Sequence, residues 1–128
     1  MLATVIAALG LLLSPATANG AAPQVASAKP TQPGWFADST IYEVNIRQYT
    51  KAGTFEAFST HLPRLKALGV EVLWIMPIHP IGAEKRLGTL GSYYAVRDYK
   101  AVNPEFGSAA DFKTLVTRAH KLGFKVVL

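Results

Sequence analysis

The chain has 128 residues, of which 50% are hydrophobic and 16% are charged, and it contains no cysteine. This composition excludes a largely disordered protein, because disordered chains are poor in large apolar residues. The lack of cysteine excludes disulfides and thiolate metal sites. Thirteen basic against eight acidic residues give a net charge of +5. The basic residues are scattered singly or in pairs with no aromatic platform between them, so we predict a solvated surface and no nucleic-acid partner.

The first 18 residues are typical of a signal peptide. They carry no charged side chain, and residues 2–13 form an apolar run that is too short to span a bilayer. Ala16-Thr17-Ala18 provides the small-x-small pattern of a cleavage site. A buried core helix is the competing interpretation, but it would need a polar face that the run lacks. We therefore predict a secreted or periplasmic protein, with no stable membrane anchor once the leader is cleaved.

Residues 19–34 follow the leader and are rich in Ala, Pro, Gln and Ser. Such a composition does not bury a core, so this segment is predicted to be a flexible linker. The folded part of the chain is then expected to run from residue 35 to residue 128.

The folded part begins with a predicted strand, helix and strand. Residues 41–49 alternate apolar and polar side chains, as a strand does. Apolar residues at helical spacing follow, with Thr54 as the cap, Gly69 as the stop and Pro63 predicting a kink or a late start. Residues 70–78 are almost continuously apolar, which predicts a strand covered on both faces with Trp74 in the core.

A second helix and a third strand complete the order. Ser108 and Asp111 resemble a capping box, Gly123 is placed to end the helix, and residues 124–128 begin an apolar strand. Alternating strands and helices predict an α/β fold with a parallel sheet. Two helices do not cover both faces of such a sheet, so we expect the chain to form only part of a larger fold. The strands at residues 70–78 and 124–128 would then have exposed apolar edges.

Functional residues are expected in the loops that leave the carboxyl ends of the strands. The long segment at residues 79–107 follows the second strand and is dense in groups that bind sugars, namely His79, Arg86, Tyr93, Tyr94, Arg97, Asp98, Tyr99 and Asn103. For each tyrosine the alternative is simple packing. Asp98 and Glu105 are candidates for an acid/base pair, but their flanking residues look more like a salt-bridged turn at Asp98 and a helix approach at Glu105. The three histidines lack the spacing of metal ligands, so no histidine metal site is predicted. Residues 82–88 lack the Gly-Lys-Ser/Thr motif of a phosphate loop, so no phosphate site is predicted there.

Several motifs in order resemble the alpha-amylase family of glycoside hydrolases. They are IYEV at residues 41–44, GTF at 53–55, LKALGV at 65–70, LWIMPI at 73–78, YYAVRDY at 93–99 and VNPEFG at 102–107. The resemblance implies a (β/α)8 TIM barrel, a fold of about 250 residues. Residues 35–128 would be the incomplete amino-terminal part of that catalytic domain, comprising the first two β/α units and the start of the third strand.

The resemblance also implies site residues. Tyr94 stands four residues before Asp98, where the family places a tyrosine that stacks on a sugar, so Tyr94 and Asp98 are the expected substrate-binding residues. The family usually has Gly directly before that tyrosine, and this chain has Tyr93. The family's catalytic carboxylates follow later strands and are expected beyond Leu128. No catalytic residue, metal ligand or cofactor is expected within this chain, and calcium is a candidate cofactor of the longer protein.

The implied function is hydrolysis of α-glucosidic bonds in starch-like polysaccharides or oligosaccharides with retention at the sugar carbon, although the chain alone is expected to be inactive. Three alternatives stay open. One is a transglycosylase or a sucrose- or trehalose-acting member of the same family. The others are a catalytically dead binding or scaffold protein, and an unrelated βα-repeat binding protein. The sequence leaves the oligomeric state open.

Overall fold

The structure is a computed structural model that describes residues 31–128. The predicted signal peptide and residues 19–30 of the predicted linker lie outside this range. The described part contains three strands and four helices in the order β1 (Ile41–Val44), α1 (Ile46–Tyr49), α2 (Phe55–Ser59), α3 (Leu62–Ala67), β2 (Val72–Ile75), α4 (Ala109–Lys121) and β3 (Lys125–Val127). The α/β class is confirmed.

The three strands form one parallel sheet in the order β1-β2-β3. Val44 pairs with Ile75, and Trp74 pairs with Val127 on the other side. Because β2 is hydrogen-bonded on both sides, the expectation that its edges are exposed is wrong. Within the described residues, the free edges belong to β1 and β3.

The first strand is shorter than its alternating pattern predicts. It ends at Val44, and residues 46–49 form the short helix α1 instead of continuing the strand. The side chain of Asn45 accepts a hydrogen bond from the backbone N–H of Gln48 at 3.3 Å, which is the geometry of a helix N-cap. The cap turns the chain out of the sheet, so Tyr49 packs edge-on against Phe58 with ring centroids 4.8 Å apart.

The predicted kink at Pro63 is confirmed as a break between two helices. The hydroxyl of Thr54 caps α2 by accepting from the N–H of Ala57 at 3.3 Å. Pro63 lies in the first turn of α3, where its missing N–H costs no helical hydrogen bond. Gly69 then ends α3 with a φ of +88°, a backbone conformation that glycine adopts readily.

Helix α4 carries the predicted capping box. The Ser108 hydroxyl accepts from the N–H of Asp111 at 3.2 Å, and the Asp111 carboxylate accepts from the N–H of Ser108 at 2.8 Å. The Ser108 hydroxyl also lies 2.6 Å from that carboxylate. These hydrogen bonds, first from the hydroxyl and then from the backbone, lower the pKa of Asp111. The helix start is therefore fixed by local chemistry.

The core lies between the sheet and the helices. Val44, Leu73 and Ile75 point to one face of the sheet and are fully buried against side chains from the helices and loops, among them Phe55, Phe58, Leu62, Leu65, Phe106, Leu115 and Ala119. No helix in residues 31–128 is long and apolar enough to cross a membrane.

The opposite face of the sheet is partly open in the described part of the chain, although Val72 on this face is buried. Trp74 is 42% exposed, and Ile41 and Val127, which the strand registers place on the same face, are also exposed. Within residues 31–128, β2 is therefore only partly covered on its second face, and the prediction that Trp74 lies in the core is wrong for these residues. The reason is that the helices pack on one face only, and alternation turns Trp74 away from it. Cover on both faces stays a prediction for the larger fold.

We expect the isolated chain, expressed without residues 1–18, to aggregate, because one face of the sheet exposes Ile41, Trp74 and Val127 and the sheet has two free edges in the described residues. Light scattering after size-exclusion chromatography should show less aggregation for Trp74→Thr. A matched control is Leu87→Thr, which removes a side chain that is 91% exposed on the long loop. A monomeric parent chain with a cooperative thermal transition, or equal benefit from both substitutions, would contradict the prediction.

Candidate functional site

The carboxyl ends of the three parallel strands lie at one edge of the sheet. Helix α1 follows β1 at this edge, the long loop at residues 76–108 follows β2, and Leu128 follows β3. This edge is where α/β folds build their sites, because only there do loops from successive strands converge. The candidate site is therefore formed mainly by the loop after β2.

An open cavity of about 350 Å³ lies in this loop region. The ring of Tyr94 is 58% exposed and forms part of its wall. The full lining consists of two tyrosines, a histidine and three apolar residues, namely Pro77, His79, Tyr94, Val96, Tyr99 and Leu128. The cavity thus offers aromatic surface and one imidazole, with no acidic side chain in its lining.

His79 is held in one orientation. Its Nδ1 lies 2.9 Å from the carbonyl oxygen of Ala101. Because a carbonyl only accepts, Nδ1 carries the hydrogen and donates it, and this hydrogen bond does not use Nε2. The imidazole also packs against Tyr99 with ring centroids 5.6 Å apart. One wall of the cavity is therefore an aromatic pair in which the imidazole is held through Nδ1.

Asp98 does not line this cavity. It is exposed, and its carboxylate accepts a hydrogen bond from the N–H of Lys100 at 2.8 Å, which closes a local turn. The structure thus brings Tyr94 together with His79 and Tyr99 but not with Asp98. Substrate binding by Tyr94 and by Asp98 stays a prediction.

Glu105 forms a salt bridge with Arg47, whose Nη2 and Nε lie 2.6 and 3.2 Å from the same carboxylate oxygen. The interpretation of the Glu105 segment as the approach to a helix is confirmed, because α4 begins four residues later. The predicted salt bridge of the Asp98 turn is not found among the described residues. The Arg47 guanidinium lies 4.8 Å from the centroid of the Tyr93 ring. The role of Arg47 is not predicted from the sequence, because the alternating pattern extends β1 through Tyr49. Asn45 is a good helix N-cap and is the signal that marks the change.

The remaining polar groups of the long loop surround a second, smaller cavity of about 150 Å³. Arg86, Arg97 and Asn103 lie there beside Arg47 and Glu105. Arg86 donates to the backbone carbonyls of Gly82 at 3.0 Å and Thr89 at 3.1 Å, so its guanidinium is used to hold its own loop. The arrangement is a folded loop and not a phosphate cradle.

Residues 31–128 contain no group of three or more His, Asp or Glu side chains arranged to hold a metal ion. Calcium stays a prediction for the longer protein.

Comparison with known families agrees with the geometry. The family model described as "Alpha amylase, catalytic domain" matches residues 31–128. The chain belongs to the alpha-amylase family. The match begins four residues before Trp35, so it includes all the strands and helices of the described structure.

Three relatives illustrate which alpha-amylase-family proteins are similar to this chain. The solved structure of an alpha-amylase from Lactobacillus plantarum superposes with a TM-score of 0.67 and 52% identity, covering 69% of this chain and 21% of that one. A malto-oligosyltrehalose trehalohydrolase from Saccharolobus solfataricus is 41% identical over 71% of this chain and 15% of its own length. An oligo-1,6-glucosidase from Halalkalibacterium halodurans is 30% identical over 73% of this chain and 17% of its own length. The chain thus spans about a fifth or less of the length of these alpha-amylase-family proteins.

Proposed function

We propose that this chain is the first part of a (β/α)8 catalytic barrel, comprising two β/α units and the start of the third strand. The parallel order β1-β2-β3 and the helices between the strands support this assignment. Membership in the alpha-amylase family supports it independently. In such a barrel the open face with Trp74 would be the inner face, which side chains from the other strands fill.

We propose that the whole protein hydrolyses α-glucosidic bonds in starch-like polysaccharides or oligosaccharides. The observation that carries this proposal is the exposed ring of Tyr94 in an open, mostly apolar cavity at the carboxyl edge of the sheet. The face of an aromatic ring suits the C–H groups of a pyranose. A cavity of about 350 Å³ lies at the lower end of the range that ligand pockets occupy. In this proposal Tyr94 stacks on the sugar, and Asp98 contributes to substrate binding from the same loop.

Retaining hydrolysis needs two carboxyl groups about 5 to 5.5 Å apart, one as nucleophile and one as acid/base. No acidic side chain lines the cavity beside Tyr94 in the described residues. We therefore propose that both carboxylates come from residues beyond Leu128. The loop described here would supply the sugar-binding wall of the site, in which Nε2 of His79 would form a hydrogen bond with a sugar hydroxyl.

A second candidate is a trehalose- or sucrose-acting enzyme or a transglycosylase on the same scaffold. The 41% identity with a trehalohydrolase favours keeping this candidate. The two candidates differ in products: hydrolysis of maltopentaose gives only shorter maltooligosaccharides and glucose, whereas a transglycosylase also gives longer chains. A catalytically dead scaffold protein would give none of these products.

The direct test is turnover of maltopentaose by the purified full-length gene product, with host amylase excluded by a mock purification. We expect glucose and shorter maltooligosaccharides from the full-length protein. We expect no products from the isolated chain, because its cavity carries no acidic group. Turnover by the isolated chain, or none by the full-length protein on maltooligosaccharides, trehalose and sucrose, would overturn the proposal.

We further propose export, on the basis of the apolar run at residues 2–13 and the Ala16-Thr17-Ala18 pattern. Amino-terminal sequencing of the protein from its native host tests this. We expect the mature chain to begin at Asn19. Recovery of a cytoplasmic protein that begins at Met1 would contradict export without affecting the proposed activity.

A further inference from the structure

Tyr93 occupies the place where the family usually has glycine, and the structure gives its ring a role. Tyr93 is half-buried and packs against the core, whereas its neighbour Tyr94 lines the cavity with an exposed ring. The two adjacent side chains therefore lie in different surroundings: Tyr93 packs on the core, and Tyr94 lines the cavity. Whatever fixes the Tyr93 ring also fixes the backbone from which the Tyr94 ring projects.

The group that holds Tyr93 is the guanidinium of Arg47. It lies 4.8 Å from the centroid of the Tyr93 ring and 5.7 Å from that of the buried Phe106. These distances fall within the range of cation–π interactions, which strengthen when the cation is removed from water. The Arg47 side chain is only 15% exposed, so its contacts with the two rings are largely shielded from solvent.

Arg47 is itself fixed from two sides. Its Nη2 and Nε both donate to Glu105, which lies near the end of the long loop, four residues before α4. A Cβ added at Gly53 would come within 2.9 Å of the Arg47 carbonyl oxygen, so the turn at Gly53 packs directly on the backbone of this residue. Nη1 is buried and has no hydrogen-bond acceptor among the described residues. The nearby rings of Tyr93 and Phe106 therefore form a main part of the environment of Nη1.

We propose that Arg47 is a positioning residue that orients the sugar-stacking ring of Tyr94 by clamping Tyr93. The proposal rests on the proposed function for the role of Tyr94. The planar guanidinium is required, because it stacks on the Tyr93 ring while it donates two hydrogen bonds to Glu105. Lysine would keep the charge but offers neither the flat face nor the paired donors.

A double-mutant cycle in the full-length gene product tests this coupling. Arg47→Met should lower kcat/KM for maltopentaose by about tenfold, since a small misplacement of a binding group costs one to two orders of magnitude. In a Tyr94→Ala background the same substitution should change kcat/KM by less than about twofold, because the ring that it positions is gone. An equal loss in both backgrounds would show a general structural role and overturn the proposal.

Two further variants make the experiment specific. Arg64→Met is the matched control, because Arg64 also donates to a tyrosine, at the hydroxyl of Tyr49, but lies outside both cavities. It should leave kcat/KM unchanged. If Arg47→Met does not fold, Arg47→Lys replaces it in the cycle and should also lower kcat/KM only when Tyr94 is present.

A crystal structure of the full-length Arg47 variant separates this proposal from the proposed function. We expect the Tyr94 ring to move by about 1 Å or more from its place beside His79. An unmoved ring would overturn the role of Arg47 even if the enzyme hydrolyses maltopentaose. If the parent protein turns over no α-glucoside, the proposed function fails, and the position of the ring alone decides whether Arg47 orients Tyr94.

Discussion

Parallel pairing of three short strands is the constraint on which the rest of the structure depends. It brings the carboxyl ends of β1, β2 and β3 to one edge, so the loops after them meet there. The long loop after β2 is hydrogen-bonded to β1 at its first residue and is then closed on itself by further main-chain hydrogen bonds. The N–H of Asn103 donates to Ile78 at 2.7 Å, and the N–H of Arg97 donates to Pro80 at 2.8 Å. The cavity beside Tyr94 lies on this anchored loop.

Phe106 connects the hydrophobic core to the contacts that hold the loop of the candidate site. Phe106 is buried with Phe55 in the core, and its carbonyl accepts from the N–H of Phe55 at 2.9 Å. The same ring lies next to the guanidinium of Arg47, which holds Tyr93. Packing that stabilises the fold therefore also restrains the loop that carries Tyr94. This link makes the geometry of the cavity a property of the fold and not of an independent surface loop.

Local chemistry explains which parts of the fold the sequence predicts well. The caps at Thr54 and Ser108 and the helix stop at Gly69 depend on neighbouring residues, so they are visible in the sequence. The strand at residues 41–49 is overpredicted because the capping side chain of Asn45 overrides the alternation. Burial of Trp74 depends on what covers the second face of the sheet, which no local pattern encodes.

In the candidate site, too, features that depend on neighbouring residues are predicted and features that depend on distant residues are not. Tyr94 is found through an ordered motif, and its placement in a cavity with His79 follows from their common loop. The Arg47–Glu105 pair joins residues 58 apart in the chain, so neither spacing nor composition signals it. Tyr93 replaces a glycine of the family pattern, and only the three-dimensional contact with Arg47 shows what its ring does.

The most direct test of the central claim is proton NMR of the first sugar released from maltopentaose by the full-length gene product. The proposed retaining mechanism keeps the α configuration at the anomeric carbon of the released sugar. The α-anomer should therefore appear first, and the β-anomer only later by mutarotation. Initial release of the β-anomer would show an inverting enzyme and would contradict the account.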